Sequence, residues 1–139
     1  MNAKTLEPFS KRKLLHAIIA TPKGESMKHV KFRSGSGFNV AIGNNRSQAA
    51  QMILEPGKSE GGKDNRHRSA DQWLYVISGR GVAIVEGKQV TLSRQTLLLI
   101  ERGENHEIRN TGSTNLCTVN PYLPPAYSKH GDTLPAGRD

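Results

Sequence analysis

Short apolar runs that alternate with a period of two, each cut off by a glycine-rich or polar turn, leave this chain few architectures. "HVKFR" (29–33), "FNVAI" (38–42), "AAQMILE" (49–55) and "QWLYVIS" (72–78) read as strands. "VAIVEGKQVTL" (82–92) reads as a hairpin with its turn at Glu86-Gly87-Lys88. "TLLLIE" (96–101), "HEIRN" (106–110) and "NLCTVNPYL" (115–123) complete the series. The stretch "EPGKSEGGKDN" (55–65) reads as a polar loop, and Gly79-Arg80-Gly81 as a turn, since no helix follows to make it a phosphate loop. No helix of crossover length separates the strands, so they pair antiparallel in a sandwich or barrel. With 139 residues the chain fits one domain, and its fourteen glycines and seven prolines suit many turns better than a helix bundle.

The one helix expected lies before the strands. Ser10 caps residues 11–20, where Leu14, Leu15, Ile18 and Ile19 share a face, and Thr21-Pro22 ends it. So short a helix does not persist in water alone, so it packs on the barrel or on a second subunit. The net charge of +8 also concentrates here. Residues 1–33 hold eight basic side chains against Glu7 and Glu25, while the remainder carries twelve basic and ten acidic ones. An arm with only Phe9 and Phe32 as stacking rings reads as solvated rather than as a nucleic-acid surface. No apolar run approaches a membrane span, and no signal-peptide pattern is present. A single cysteine, Cys117, excludes an internal disulfide framework and points to the cytoplasm; within an interior strand it reads as a small apolar filler.

Parity locates the residues that could carry chemistry. In "QWLYVIS" and "LLLI" both faces are apolar, so one lines the interior and the other needs a cover, from the N-terminal helix or a second subunit; a homodimer is expected. Trp73 and Tyr75 read as packing or subunit contacts. Of five histidines, His16, His29 and His130 have no chemistry-bearing neighbours. His67 precedes the strand that carries Gln72, and His106 opens a strand on whose inner face Ile108 and Asn110 follow. Two inward imidazoles and a side-chain oxygen are a plausible metal set. Interior histidines bound to strand neighbours are the competing reading.

These residues resemble the cupin family, double-stranded β-helix (jelly-roll) barrels with the motifs G-x5-H-x-H-x3-4-E-x6-G and G-x5-P-x-G-x2-H-x3-N. The second is kept as Gly103-Glu104-Asn105-His106-x3-Asn110, with Glu101 for its proline and Gln95 for its first glycine. The first survives as Asn65-x-His67-x4-Gln72-x6-Gly79, with Ser59 for its opening glycine. "SQAAQMILEPG" (47–57) and "YLPPAY" (122–127) also match a bacterial subgroup, and Tyr122, Pro124 and Pro125 are expected to seal one barrel end. The resemblance implies an all-β cupin barrel over 38–127, between a basic arm with a short N-terminal helix (1–37) and a polar tail (128–139).

The metal-ligand places of the family fall on Asn65, His67, Gln72 and His106. Two are amides, so the set offers no negative charge to a divalent ion, and weak binding through His67, Gln72 and His106 is expected. Asp71 adjoins Gln72 but points to the opposite face. Arg66 and Arg68 are expected at the surface, with a carboxylate clamp as the other reading. Two function classes stay open. One is a metal-dependent small-molecule enzyme, dioxygenase-, isomerase- or lyase-like, using iron, nickel, zinc or copper. The other is a non-catalytic barrel that binds a small polar or anionic ligand without metal.

Overall fold

The structure, a computed structural model, describes residues 27–62, 64–128 and 132–134. Nine strands are found among them: β1 (Gly37–Gly43), β2 (Gln48–Leu54), β3 (Ser59–Gly62), β4 (Asp71–Ser78), β5 (Gly81–Val85), β6 (Lys88–Leu92), β7 (Leu97–Ile100), β8 (His106–Asn110) and β9 (Leu116–Leu123). They form a five-stranded sheet in the order β1-β2-β9-β4-β7 and a four-stranded sheet in the order β3-β8-β5-β6. Every strand pairing among the described residues is antiparallel, as an all-β jelly roll requires. The expected helix at 11–20 lies outside the described residues. No helix among the described residues is long and apolar enough to cross a membrane.

Alternation builds the interior. The inner residues of β9 are Leu116, Thr118, Asn120 and Tyr122, all buried, and those of β4 are Gln72, Leu74 and Val76. At one end Leu54, Leu74, Val76, Leu92, Ile108 and Leu116 close a dry core. A fully buried leucine there contributes about 2 kcal/mol. At the other end the inner positions turn polar, and the site lies there. Asn110, the last residue of the second motif, sits at the dry end and has an architectural job. Its amide donates to the carbonyls of Leu54 and Thr114, both at 2.8 Å, and its oxygen accepts from Gly112 N–H.

Three local expectations are corrected. Residues 29–33 form no strand: they run beside the sheet, with Gln51 donating to the Arg33 carbonyl at 2.6 Å and accepting from the Arg33 N–H. Only Val30 and Phe32 are apolar in that run, too few to pin a strand. The glycine-rich stretch 55–65 contains β3, which is held by the backbone of β8 rather than by side-chain propensity. The hairpin turn is two residues, not three, with Val85 opposite Lys88 and positive φ at Glu86 (50°) and Gly87 (79°), a type I′ arrangement.

Gly79 ends β4 at a φ of 93°, and a Cβ there would stand 2.7 Å from the Cα of Leu116 and run into the Asn115 carbonyl oxygen. Gly79→Ala is therefore expected to cost about 2 kcal/mol or more, read as a lower urea midpoint. An unchanged midpoint would mean that the chain does not turn this way.

Candidate functional site

Four strands bring the polar residues together. β8 carries His106 inward, β4 carries Gln72, β9 carries Tyr122, and β3 carries Glu60 opposite Ile108. Gln72 pairs directly with Tyr122 in the β4–β9 register. Asn65 and His67 come from the turn after β3, which is tied to β8 by the His106 N–H donating to the Asn65 carbonyl at 2.9 Å. Together they line a cavity of about 30 Å³, completed by Phe38, Met52 and Tyr127. That is room for a water or two, or for one ion. Anything larger has to displace Phe38 or Tyr127, the half-buried rings of the lining.

Hydrogen bonds fix the donor and acceptor roles. His106 Nδ1 faces the Glu104 carbonyl at 3.1 Å; a carbonyl only accepts, so Nδ1 carries the proton. Its Nε2 is then a lone pair, and Asn65 Nδ2 donates to it at 3.2 Å while also reaching the His106 carbonyl at 3.4 Å. Gln72 Nε2 donates to Asn120 Oδ1 at 3.3 Å, and Asn120 Nδ2 donates to Thr118 Oγ1 at 2.9 Å. That chain orients the Gln72 amide and leaves its buried Oε1 with no partner. His67 Nδ1 is likewise buried and unpartnered. Each orphan costs on the order of 1–3 kcal/mol, which a guest in the cavity would recover.

The imidazoles and phenols of the site are held neutral, and Glu60 is the acid at its rim. The His67 and His106 rings lie 5.4 Å apart, and His67 also meets Tyr122 and Tyr127 at 5.1 and 5.5 Å. Burial, with His106 adding to it, pushes the His67 imidazole down to about 4. Burial also lowers His106, partly offset by the Glu104 carbonyl and carboxylate. The phenols of Tyr122 and Tyr127 hydrogen-bond each other. Burial holds Tyr122 well above its ordinary value and pushes Tyr127 up to about 12, so both keep their protons at neutral pH. Burial raises Glu60 as well. Among the described residues no lysine or arginine lines the cavity: Arg66 is exposed and Arg68 half-buried. Asp71 turns away and accepts from the Arg102 N–H at 2.9 Å.

The structure gathers Asn65, His67, Gln72 and His106 around one cavity, while His29 stands apart from it and His16 and His130 lie outside the described residues. Sequence reasoning missed Glu60, hidden in what looked like a loop, and Tyr127 and Phe38. It gave Tyr122 a sealing role only, although its period-two spacing from Asn120 and Thr118 marks it as inward.

As a metal set the donors fit in kind and fall short in charge. Two neutral imidazoles and an orphaned amide oxygen suit a borderline transition ion, but the Asn65 amide has to leave His106 Nε2 first. Among the described residues no three His, Cys, Asp or Glu side chains stand together as a ready-made cluster.

Because the folded chain keeps His67 neutral, the unfolded chain binds the extra proton as pH falls below its ordinary value of 6.5. Stability is expected to decline from about pH 6.5 to about pH 4, by roughly 3 kcal/mol from His67 alone, with His106 acting in the same direction. Urea denaturation across that range reads it, and His67→Gln flattens the curve. A flat profile in the parent chain would contradict a buried neutral imidazole.

Comparison with known proteins agrees with this architecture. The cupin domain model matches residues 50–120. The tetracenomycin polyketide synthase protein TcmJ of Streptomyces glaucescens is 31% identical over 98 residues, covering 68% of this chain and 64% of that protein. An oxalate-binding protein of Thermotoga maritima is 34% identical over 76 residues, 55% of this chain and 61% of that one. The chain thus spans less than two thirds of the length of either relative. The crystal structure of a Bacillus halodurans protein superposes with a TM-score of 0.64 at 25% identity, covering 73% of this chain and 79% of that one. With its inward histidines, its jelly-roll sheets and a family match over half its length, this chain belongs to the cupin family.

Proposed function

We propose that the protein binds a small molecule in the barrel lumen through a weakly held divalent transition metal, with His67, His106 and the Gln72 oxygen as donors. The observation that carries this reading is the facing pair of neutral imidazoles with the unpartnered Gln72 Oε1 in the same cavity. Protonated imidazoles would repel a cation; these two are held in the form that binds one. Such an ion would supply a positive centre for a ligand oxygen in a lumen where no described residue of the lining is cationic.

The chain's own residues do the rest. The paired phenols of Tyr122 and Tyr127 keep a proton to donate to a ligand oxygen. Asn65, once released from His106, has an amide N–H to offer the same ligand. These donors favour a compact oxyanion or carboxylate, which beside the ion would have to displace Phe38 or Tyr127 from the lining, and the name of the oxalate-binding relative supports that class. The Asn65–His106 hydrogen bond favours a second reading, in which the amides and phenols hold a small polar ligand with no metal.

Elemental analysis of protein purified without added metal or an affinity tag, followed by titration with zinc, nickel, iron(II) and copper, tests the first reading. The parent chain is expected to take up one of these ions, and His106→Ala to lose it. Gln72→Glu is expected to tighten uptake by roughly tenfold or more, about 1.4 kcal/mol, since it adds the negative charge that the donor set lacks. A parent chain that takes up no ion would discard this reading, and calorimetry with oxalate on the metal-free protein would then test the second.

A further inference from the structure

The outer face of the five-stranded sheet carries an apolar strip that the lumen does not explain. Trp73, Ile77, Leu97, Leu99 and Leu123 are exposed there, Leu97 at 59% and Trp73 still at 36%. The register makes the strip continuous: Trp73 pairs with Leu99 and Tyr75 with Leu97, while Leu123 pairs with Asp71, two residues before Trp73. Exposed apolar area of this kind, concentrated on three adjoining strands, marks a surface that something covers.

The course of the chain points to the cover. Followed backwards from β1, it crosses Gln51 on β2 at Arg33 and reaches the β1–β2 turn, where Lys28 Nζ donates to the Gly43 carbonyl at 2.9 Å. There Lys28 edges a groove of about 430 Å³ whose apolar wall is Ile42, Ala49, Pro121 and Leu123. Leu123 belongs to both the groove and the strip. The described chain begins at Met27, beside Lys28 at the edge of this groove, and twenty-six residues of the sequence precede it. Their sequence spaces Leu14, Leu15, Ile18 and Ile19 on one face of a ten-residue helix.

We propose that residues 11–20 dock this apolar face on the outer strip of the same chain, over β9, β4 and β7. The dimensions agree. Ten helical residues are about 15 Å long. The outer face from β2 to β7 spans three strand spacings, about 14 Å. The six residues at 21–26 reach up to about 20 Å, enough to carry the helix from Lys28 to the far strands. A tethered segment also faces the strip at an effective concentration in the millimolar range, above that of a second copy at ordinary protein concentrations.

Trp73 is the only tryptophan of the chain and lies in the strip, so its fluorescence reports the cover directly. In the 139-residue chain its emission is expected to be blue-shifted at all concentrations. Leu14→Asp with Ile18→Asp is expected to shift it to the red and to open it to iodide quenching, with the strand signal in circular dichroism unchanged. A blue shift that grows with concentration, alongside a dimer in sedimentation, would overturn the proposal in favour of a second copy. An emission typical of exposed tryptophan in the parent chain would also overturn it. Should the double variant lose its fold, Ile18→Cys with Leu99→Cys in a Cys117→Ser background decides by oxidation. A disulfide within one chain supports the docking; a disulfide between chains, or none, refutes it.

Discussion

Strand β9 is the constraint on which the rest of this barrel depends. It is hydrogen-bonded on both sides, to β2 from Gln48↔Tyr122 to Leu54↔Leu116, and to β4 from Asp71↔Leu123 towards Ser78↔Cys117. A slip of one residue in either ladder would turn Leu116, Thr118, Asn120 and Tyr122 outward and expose the dry core. The same register places Tyr122 opposite Gln72, and Asn120 within reach of the Gln72 amide. The ladder that seals the apolar end therefore also orients the site at the polar end.

At that polar end, burial and charge pull in opposite directions. A buried imidazole must stay neutral unless an anion stands beside it, and no carboxylate stands where the family glutamate would, since Gln72 fills that place. The consequence is a buried floor of neutral donors and acceptors, two of them unpartnered, with the acid of Glu60 at the exposed rim. A glutamine at this place avoids the desolvation cost that a buried, unpaired carboxylate would bring. It also weakens the hold on any cation. The Asn65 amide fits the same logic: by donating to His106 Nε2 it satisfies a buried lone pair that an empty lumen would leave bare.

Much of this was legible in the sequence wherever side-chain alternation does the structural work. "HEIRN" is β8 residue for residue, and its parity correctly turns His106, Ile108 and Asn110 inward. The outer apolar face of β4 and β7 was legible for the same reason. What alternation does not encode was misread. β3 is a strand because β8 offers it an unpaired edge, and its own residues, Ser-Glu-Gly-Gly, signal a turn. Glu60 went unnoticed with it. The run at 29–33 alternates but has too little apolar surface to bury, and its backbone bonds to a side chain instead. Tyr127 enters the site through a loop fixed by Gln48, whose Oε1 accepts from the Ala126 and Tyr127 N–H groups. A contact spanning nearly eighty residues leaves no local trace.

On the proposed reading, the missing carboxylate also sets which ions the lumen would select. Hard ions such as magnesium and calcium bind through charged oxygens and give up their water reluctantly; two imidazoles and an amide do not repay that cost. Zinc, copper, nickel and iron gain from imidazole nitrogen itself, so the preference follows ligand softness rather than charge. Glu60, opposite Ile108 on β3, is the one acid among the described lining residues; it stands exposed at the rim of the lumen, and partial burial there taxes its ionised form and raises its pKa. A cation in the lumen would relieve that penalty, because a positive neighbour favours the carboxylate. Loading the site would therefore release a proton from whatever fraction of Glu60 is protonated, and the affinity for the ion would rise with pH through the range where Glu60 titrates.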